Sequence, residues 1–116
     1  MNENKIQAEC VKWFRNTYCK RTDLPRCAIF SVPNEGRNQM EQLQKIATGL
    51  LAGVSDLIIV LPNKIVFVEM KDATGKQSPG QIEFEQTVTN LGFEYYLIRS
   101  VDEFKLTIDN LFNSLL

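Results

Sequence analysis

The sequence predicts an α/β domain in which helices cover a small mixed sheet, and three observations predict it. Two nearly continuous apolar runs, Asp56-Leu57-Ile58-Ile59-Val60-Leu61 and Ile65-Val66-Phe67-Val68-Glu69-Met70, flank the turn Pro62-Asn63-Lys64, as strands covered on both faces would. Helical and strand patterns alternate along the rest of the chain. A length of 116 residues holds one core rather than two, so residues 1–116 are expected to form a single domain with one site.

The elements follow in order. Ile6, Cys10, Trp13, Phe14 and Tyr18 recur at helical spacing and predict an amphipathic helix over residues 3–20, ended by Asp23-Leu24-Pro25. Ala28-Ile29-Phe30-Ser31-Val32 is a short strand stopped by the turn signal Pro33-Asn34-Glu35-Gly36. Met40, Leu43, Ala47 and Leu50 predict a second helix, closed by Gly49 or Gly53. The central hairpin comes next. Ser78-Pro79-Gly80-Gln81 then supplies an N-cap, a proline at the first helical position and a capping-box glutamine, followed by Ile82, Phe84, Val88 and Leu91, with Gly92 as the stop. Glu94-Tyr95-Tyr96-Leu97-Ile98 is a further strand, and Ser100-Val101-Asp102-Glu103 opens a last helix reaching Leu116. The order is αβαββαβα.

Composition narrows the chemistry. Hydrophobic residues at 44% and charged residues at 23% suit an ordinary globular chain rather than a disordered one. No apolar run approaches a membrane span, and the first residues lack the basic-then-apolar order of a signal peptide, so no membrane association and a cytoplasmic location are expected. Three cysteines without close spacing and the absence of histidine argue against zinc and disulfide frameworks, and Cys10, Cys19 and Cys27 read as buried or incidental thiols. Without histidine, Ser-His and Cys-His nucleophile pairs are excluded, leaving carboxylate, lysine and metal chemistry. A net charge of -1 does not announce a nucleic-acid binder. Lys12, Arg15, Lys20, Arg21, Arg26, Arg37, Lys45 and Lys76 nevertheless offer phosphate contacts if they gather locally.

Asp56 opens one strand of the hairpin and Glu69-Met70-Lys71 ends the other. Strand residues two apart share a face, so Glu69 and Lys71 project together while Met70 points into the packed side. The hairpin returns Asp56 beside them. Two carboxylates and an amine at one point are what metal-assisted phosphodiester hydrolysis requires. Magnesium or manganese takes hard oxygen ligands from Asp56 and Glu69, with the Met70 carbonyl as a possible third. Lys71 would orient or deprotonate water, or hold charge on the phosphate oxygens. Glu9, at the margin of the first helix's buried face, offers a further carboxylate. Simpler readings stand beside these: a structural salt bridge for the strand-end charges, a capping box for Gln81, and a solvated position for Glu9.

Taken together, Asn34-Glu35-Gly36, Gly53-Val54-Ser55-Asp56, Glu69-Met70-Lys71 and Gly75-Lys76-Gln77-Ser78-Pro79-Gly80-Gln81 resemble the VRR-NUC (virus-type replication-repair nuclease) family of the PD-(D/E)xK superfamily. The resemblance runs from Glu9 through Asp102. It implies a restriction-endonuclease-like core, metal binding by Asp56 and Glu69, a catalytic Lys71 and a site-lining Gln81, with Glu9 matching the family's first-helix glutamate. A single Gln81 side chain is not expected to serve fully as both cap and site residue. Ser55 stands where the superfamily's name has proline, which implies altered strand entry rather than loss of metal binding.

Stand-alone members of this size resemble archaeal Holliday-junction resolvases and tend to be homodimers, which implies branched DNA as substrate. A bacteriophage or prophage source and a role in replication, recombination or repair follow from the same resemblance. The expected activity is a magnesium- or manganese-dependent, structure-selective DNA endonuclease. A flap or end nuclease and a non-catalytic DNA-binding module are the alternatives. Phe93, Tyr95 and the segment from Leu111-Phe112 to Leu115-Leu116 are candidates for a partner surface.

Overall fold

The structure is a computed structural model describing residues 1–33 and 38–115. The turn Asn34-Glu35-Gly36, together with Arg37 and Leu116, lies outside the described residues. Helix α1 spans Glu3–Phe14 and runs on through a π-helical turn, Arg15–Cys19. Strand β1 is Ala28–Ser31, α2 is Gln39–Ala47, β2 is Leu57–Leu61, β3 is Lys64–Met70, α3 is Pro79–Asn90, β4 is Glu94–Ile98 and α4 is Val101–Leu115. The sequence order αβαββαβα is thus present. Among the described residues no helix is long and apolar enough to cross a membrane.

Local chemistry sets the element ends. The Asn2 side chain accepts from the Lys5 N–H at 2.9 Å and opens α1, while Asn38 does the same for Glu41 at α2. Helix α2 closes at Gly49, whose φ of 118° is one that L side chains rarely adopt. Between β2 and β3, Asn63 takes φ 60° after Pro62, a left-handed position that asparagine tolerates.

The strands lie in the order β1-β2-β3-β4, antiparallel except for the parallel β3-β4 pair joined through α3. Alternation divides each strand between two faces. Ile29, Leu57, Ile59, Val66, Val68, Met70 and Ile98 are buried in the main core, against Phe14 of α1 and Phe104, Ile108 and Phe112 of α4. On the opposite face, Phe84 of α3 meets Phe67 edge-on at 5.4 Å and lies against Tyr95. Helices therefore cover both faces. Leu111 and Phe112 belong to the core, and Phe112 stacks on Tyr18 at 3.8 Å. Leu111 and Phe112 are accordingly packing, not partner surface, because α4 turns its apolar stripe inward against α1. The Cys19 and Cys27 sulfurs approach to 3.9 Å as free thiols.

One backbone contact fixes the approach to β2. Gly53 adopts φ 86°, and a Cβ there would fall 2.2 Å from the Gly80 carbonyl oxygen in the first turn of α3. The two glycine-bearing segments flagged in the sequence thus meet in space, and only a bare backbone fits at Gly53. At Gly80 the nearest atom to an added Cβ is 3.7 Å away, an ordinary contact. Gly53→Ala is expected to destabilise by about 2–4 kcal/mol, combining overpacking with backbone strain. Gly80→Ala should be neutral or stabilising by up to about 1 kcal/mol, the helix preference for alanine. Urea unfolding of the two variants checks the contrast.

Candidate active site

The site forms where β3 ends. Glu69 is the penultimate residue of that strand and is only 1% exposed, the one buried charged side chain among the described residues. Its Oε2 accepts from the Gln81 Nε2 at 3.1 Å, while Oε1 has no protein partner. A buried carboxylate oxygen without a donor is costly, so this position calls for a proton or a cation.

Asp56 stands just before β2, where the antiparallel register sets it alongside the end of β3. Its Oδ2 accepts from the Met70 N–H at 2.7 Å, which orients the carboxylate across the hairpin. The Lys71 N–H donates to the Ile98 carbonyl of β4 at 3.0 Å. In a trans peptide the carbonyl opposes that N–H, so the Met70 carbonyl is turned away from β4 toward Asp56. The Met70 side chain is buried in the core. The strand-end geometry therefore matches the alternation expected from sequence.

Burial pushes the Glu69 carboxyl up to about 9, first through lost solvation and then through the adjacent Asp56 carboxylate, with Lys71 opposing and Glu3 adding to the rise. Tyr95, above the same floor, is pushed upward by burial and by the charge of Glu69. The Lys71 ammonium makes its ion pair with Glu3 at 3.8 Å and is largely covered. Among the described residues no ion pair joins Lys71 to Asp56 or Glu69, so a salt bridge does not account for the two carboxylates.

Gln81 performs both tasks that seemed exclusive. Its Oε1 accepts from the Ser78 N–H at 2.8 Å, completing the capping box, while its amide nitrogen donates to Glu69. The physical reason is that a carboxamide has two ends, and the cap uses only the oxygen. The preceding loop is held by Arg99, whose Nη1 donates to the carbonyls of Asp72 and Gly75 at 2.7 Å each. Asp72 Oδ1 accepts from the Gly75 N–H at 2.6 Å within that loop. These loop-holding residues carry no sequence signature.

Glu9 is placed elsewhere. It is exposed and lines a separate hollow with Arg99 and Asp102, whereas Glu3 is the first-helix glutamate that faces Lys71. Six residues turn a helix by about 240°, so the two glutamates cannot share a face. Periodicity marks both as marginal to the buried stripe. Only the packing of α1 against β3 distinguishes them.

A cleft of about 410 Å³ beside Lys71 is lined by Gln42, Gly53, Lys76, Ser78 and Gln81. Among the described residues no three carboxylate, thiol or imidazole side chains converge. Asp56, Glu69 with its unpartnered oxygen, and the Met70 carbonyl are the oxygen donors that could hold a cation. Hard oxygens few in number suit magnesium or manganese, whose shells water and phosphate ordinarily complete. The residues fit such an ion.

The VRR-NUC domain family model matches residues 1–102. The chain belongs to the VRR-NUC family. Solved structures share its fold, among them two VRR-NUC domains. One, a VRR_NUC domain protein, has a TM-score of 0.73 at 19% identity, covering 94% of this chain and 86% of the other. The second, a VRR_NUC domain, has a TM-score of 0.63 at 21% identity, covering 92% of this chain and 94% of the other. A search of curated proteins gives no match. VRR-NUC is a nuclease domain, so the chain carries a nuclease-type fold, and DNA binding is implied with it.

The raised Glu69 pKa makes a signed prediction for this VRR-NUC protein without added metal. With the folded value near 9 and the ordinary value at 4.5, the neutral carboxyl's contribution is fully present below pH 4.5. It is lost as pH rises toward 9. In chelator, the melting temperature should fall across that window for the wild type and fall less for Glu69→Gln, leaving the variant the more stable protein at pH 8–9. Equal pH profiles in scanning calorimetry would refute the assignment.

Proposed function

We propose that this VRR-NUC protein is a magnesium- or manganese-dependent endodeoxyribonuclease that hydrolyses phosphodiester bonds in branched DNA, as a Holliday-junction resolvase does. The observation that carries the reading is Glu69, buried at the strand end with one oxygen unpartnered, beside Asp56 and Lys71. A bound divalent ion would supply Lewis-acid charge to the phosphoryl group. Asp56 and Glu69 would hold it, assisted by the Met70 carbonyl. The Met70 N–H keeps Asp56 in place and the Gln81 amide keeps Glu69 in place, so neither carboxylate must be ordered during the reaction. Lys71 presents positive charge to phosphate oxygens, or a proton-transfer group to water, while Glu3 restrains its ammonium.

Action on two strands suits a pair of sites, and the surface supports a homodimer. Helix α2 leaves Met40, Leu43 and Ile46 between 50% and 67% exposed. That apolar stripe is where a second copy would seat. Cytoplasmic residence, a bacteriophage origin and a part in replication, recombination or repair accompany this reading.

Incubation with labelled four-way junction, flap and linear duplex, each with magnesium, manganese or chelator, tests the activity. Paired incisions in the junction are expected with metal, and Lys71→Ala should reduce them by at least about 100-fold, the scale of a lost charge-stabilising group. Incision confined to flaps or ends would replace the substrate, and binding without any incision would make the protein a non-catalytic module. Sedimentation velocity should show a dimer, with Leu43→Asp combined with Ile46→Asp giving folded monomers. Unchanged mass in the double variant would remove α2 from the interface.

A further inference from the structure

The nuclease reading places a scissile phosphate at the end of β3 but leaves the path of the adjoining strand open. A groove of about 550 Å³ lies between α1 and β1. Asn4, Gln7, Lys12 and Arg15 line its helical wall. Their spacing of three, five and three residues keeps them on one broad side of α1, next to the stripe of Ile6, Cys10 and Phe14 that enters the core. Among the described residues no carboxylate lines the groove.

The second wall is the unpaired edge of the sheet. β1 is the terminal strand, and Val32 donates to the Asp56 carbonyl at 3.1 Å. In an antiparallel ladder that bond turns even-numbered β1 residues toward β2 and leaves the main-chain groups of Ile29 and Ser31 directed outward. Arg15 confirms the direction, its Nη2 reaching the Ile29 carbonyl at 3.4 Å. The Ser31 N–H and hydroxyl, the Asn4 and Gln7 amides and two cations therefore face one trough. Phe30, 45% exposed, forms its lip.

The groove leads to the candidate site. Asn4 follows Glu3, which pairs with Lys71, and Leu57 in the groove floor follows Asp56. From Asn4, Lys12 and Arg15 stand about 12 and 17 Å along the helix. We infer that this trough binds an unpaired DNA strand adjoining the scissile phosphate, with Lys12 and Arg15 on its phosphates and Phe30 stacked on a base. Polyanion recognition follows from the two cations and the amide donors. The unpaired state follows from the exposed ring, on which a base can stack only after leaving its own pair. The strand seated in the trough is thus one that leaves its pairing where the arms of the branched substrate meet, beside the cut. The inference rests on the nuclease reading for the position of the cut, whereas binding in the groove is measurable without cleavage.

Fluorescence anisotropy in chelator, over a range of salt, with labelled single strand, blunt duplex and forked duplex tests it on the full chain. Wild type should prefer the single strand and the fork. Lys12→Ala with Arg15→Ala should abolish that preference and flatten the slope of log affinity against log salt by about 1.4, two single-strand phosphate contacts. Phe30→Ala should weaken fork and single-strand binding and spare the duplex. Lys105→Ala on α4, a charge control, should match wild type, and circular dichroism confirms folding of each variant.

Equal wild-type affinity for all three DNAs overturns the inference, as does a double variant indistinguishable from Lys105→Ala. Absence of binding to any DNA also overturns it, and would leave the β1 edge to an added peptide strand. Separately, junction incubation with magnesium judges the nuclease reading: groove effects without incision would sink that reading and keep the groove.

Discussion

A carboxylate buried on an apolar strand is the constraint around which this protein is organised. Glu69 ends a strand otherwise built from Val66, Phe67, Val68 and Met70, where an ionised group is expensive. Gln81 meets one oxygen, and Asp56 sits close enough to make the second harder to ionise. The fold thus stores a demand for positive charge at one point. The same desolvation that burdens the isolated domain would strengthen its hold on a cation and the electrostatic effect of Lys71.

Precision comes from connecting that point to several elements through main-chain groups. Asp56 is oriented by a β3 N–H, the Lys71 backbone is tied to β4, and Gln81 is fixed by its own helix cap. Arg99 ties the intervening loop through two carbonyls. Main-chain anchors cost less conformational entropy than long side chains meeting each other. The Gly53 approach to Gly80 then joins the entry of β2 to the start of α3, bringing Asp56 and Gln81 to the same side.

The chain's distribution of charge lets an acidic total accommodate the proposed phosphate-binding surface. Several cations are used locally: Arg21 pairs with Asp23, Lys45 with Glu41 and Lys64 with Glu94. Lys12 and Arg15 instead share a trough that no described carboxylate lines, and Lys76 lines the cleft beside Lys71. A net charge of -1 averages over both groups and conceals the separation.

The sequence by itself determined the elements, the central hairpin and the meeting of Asp56, Glu69 and Lys71. Each follows from a local rule: alternation along β3, a short turn at Pro62-Asn63, and apolar runs long enough to require cover on both faces. It also marked the cap at Ser78. Tertiary structure decided what depends on how one element sits against another. It set Glu3 rather than Glu9 beside Lys71, because helical periodicity cannot say which end of α1 meets β3. It let the two ends of Gln81 serve the cap and Glu69 together, and it buried Leu111 and Phe112 in the core. Neighbours along the chain fix which way a side chain points; only packing fixes what it points at.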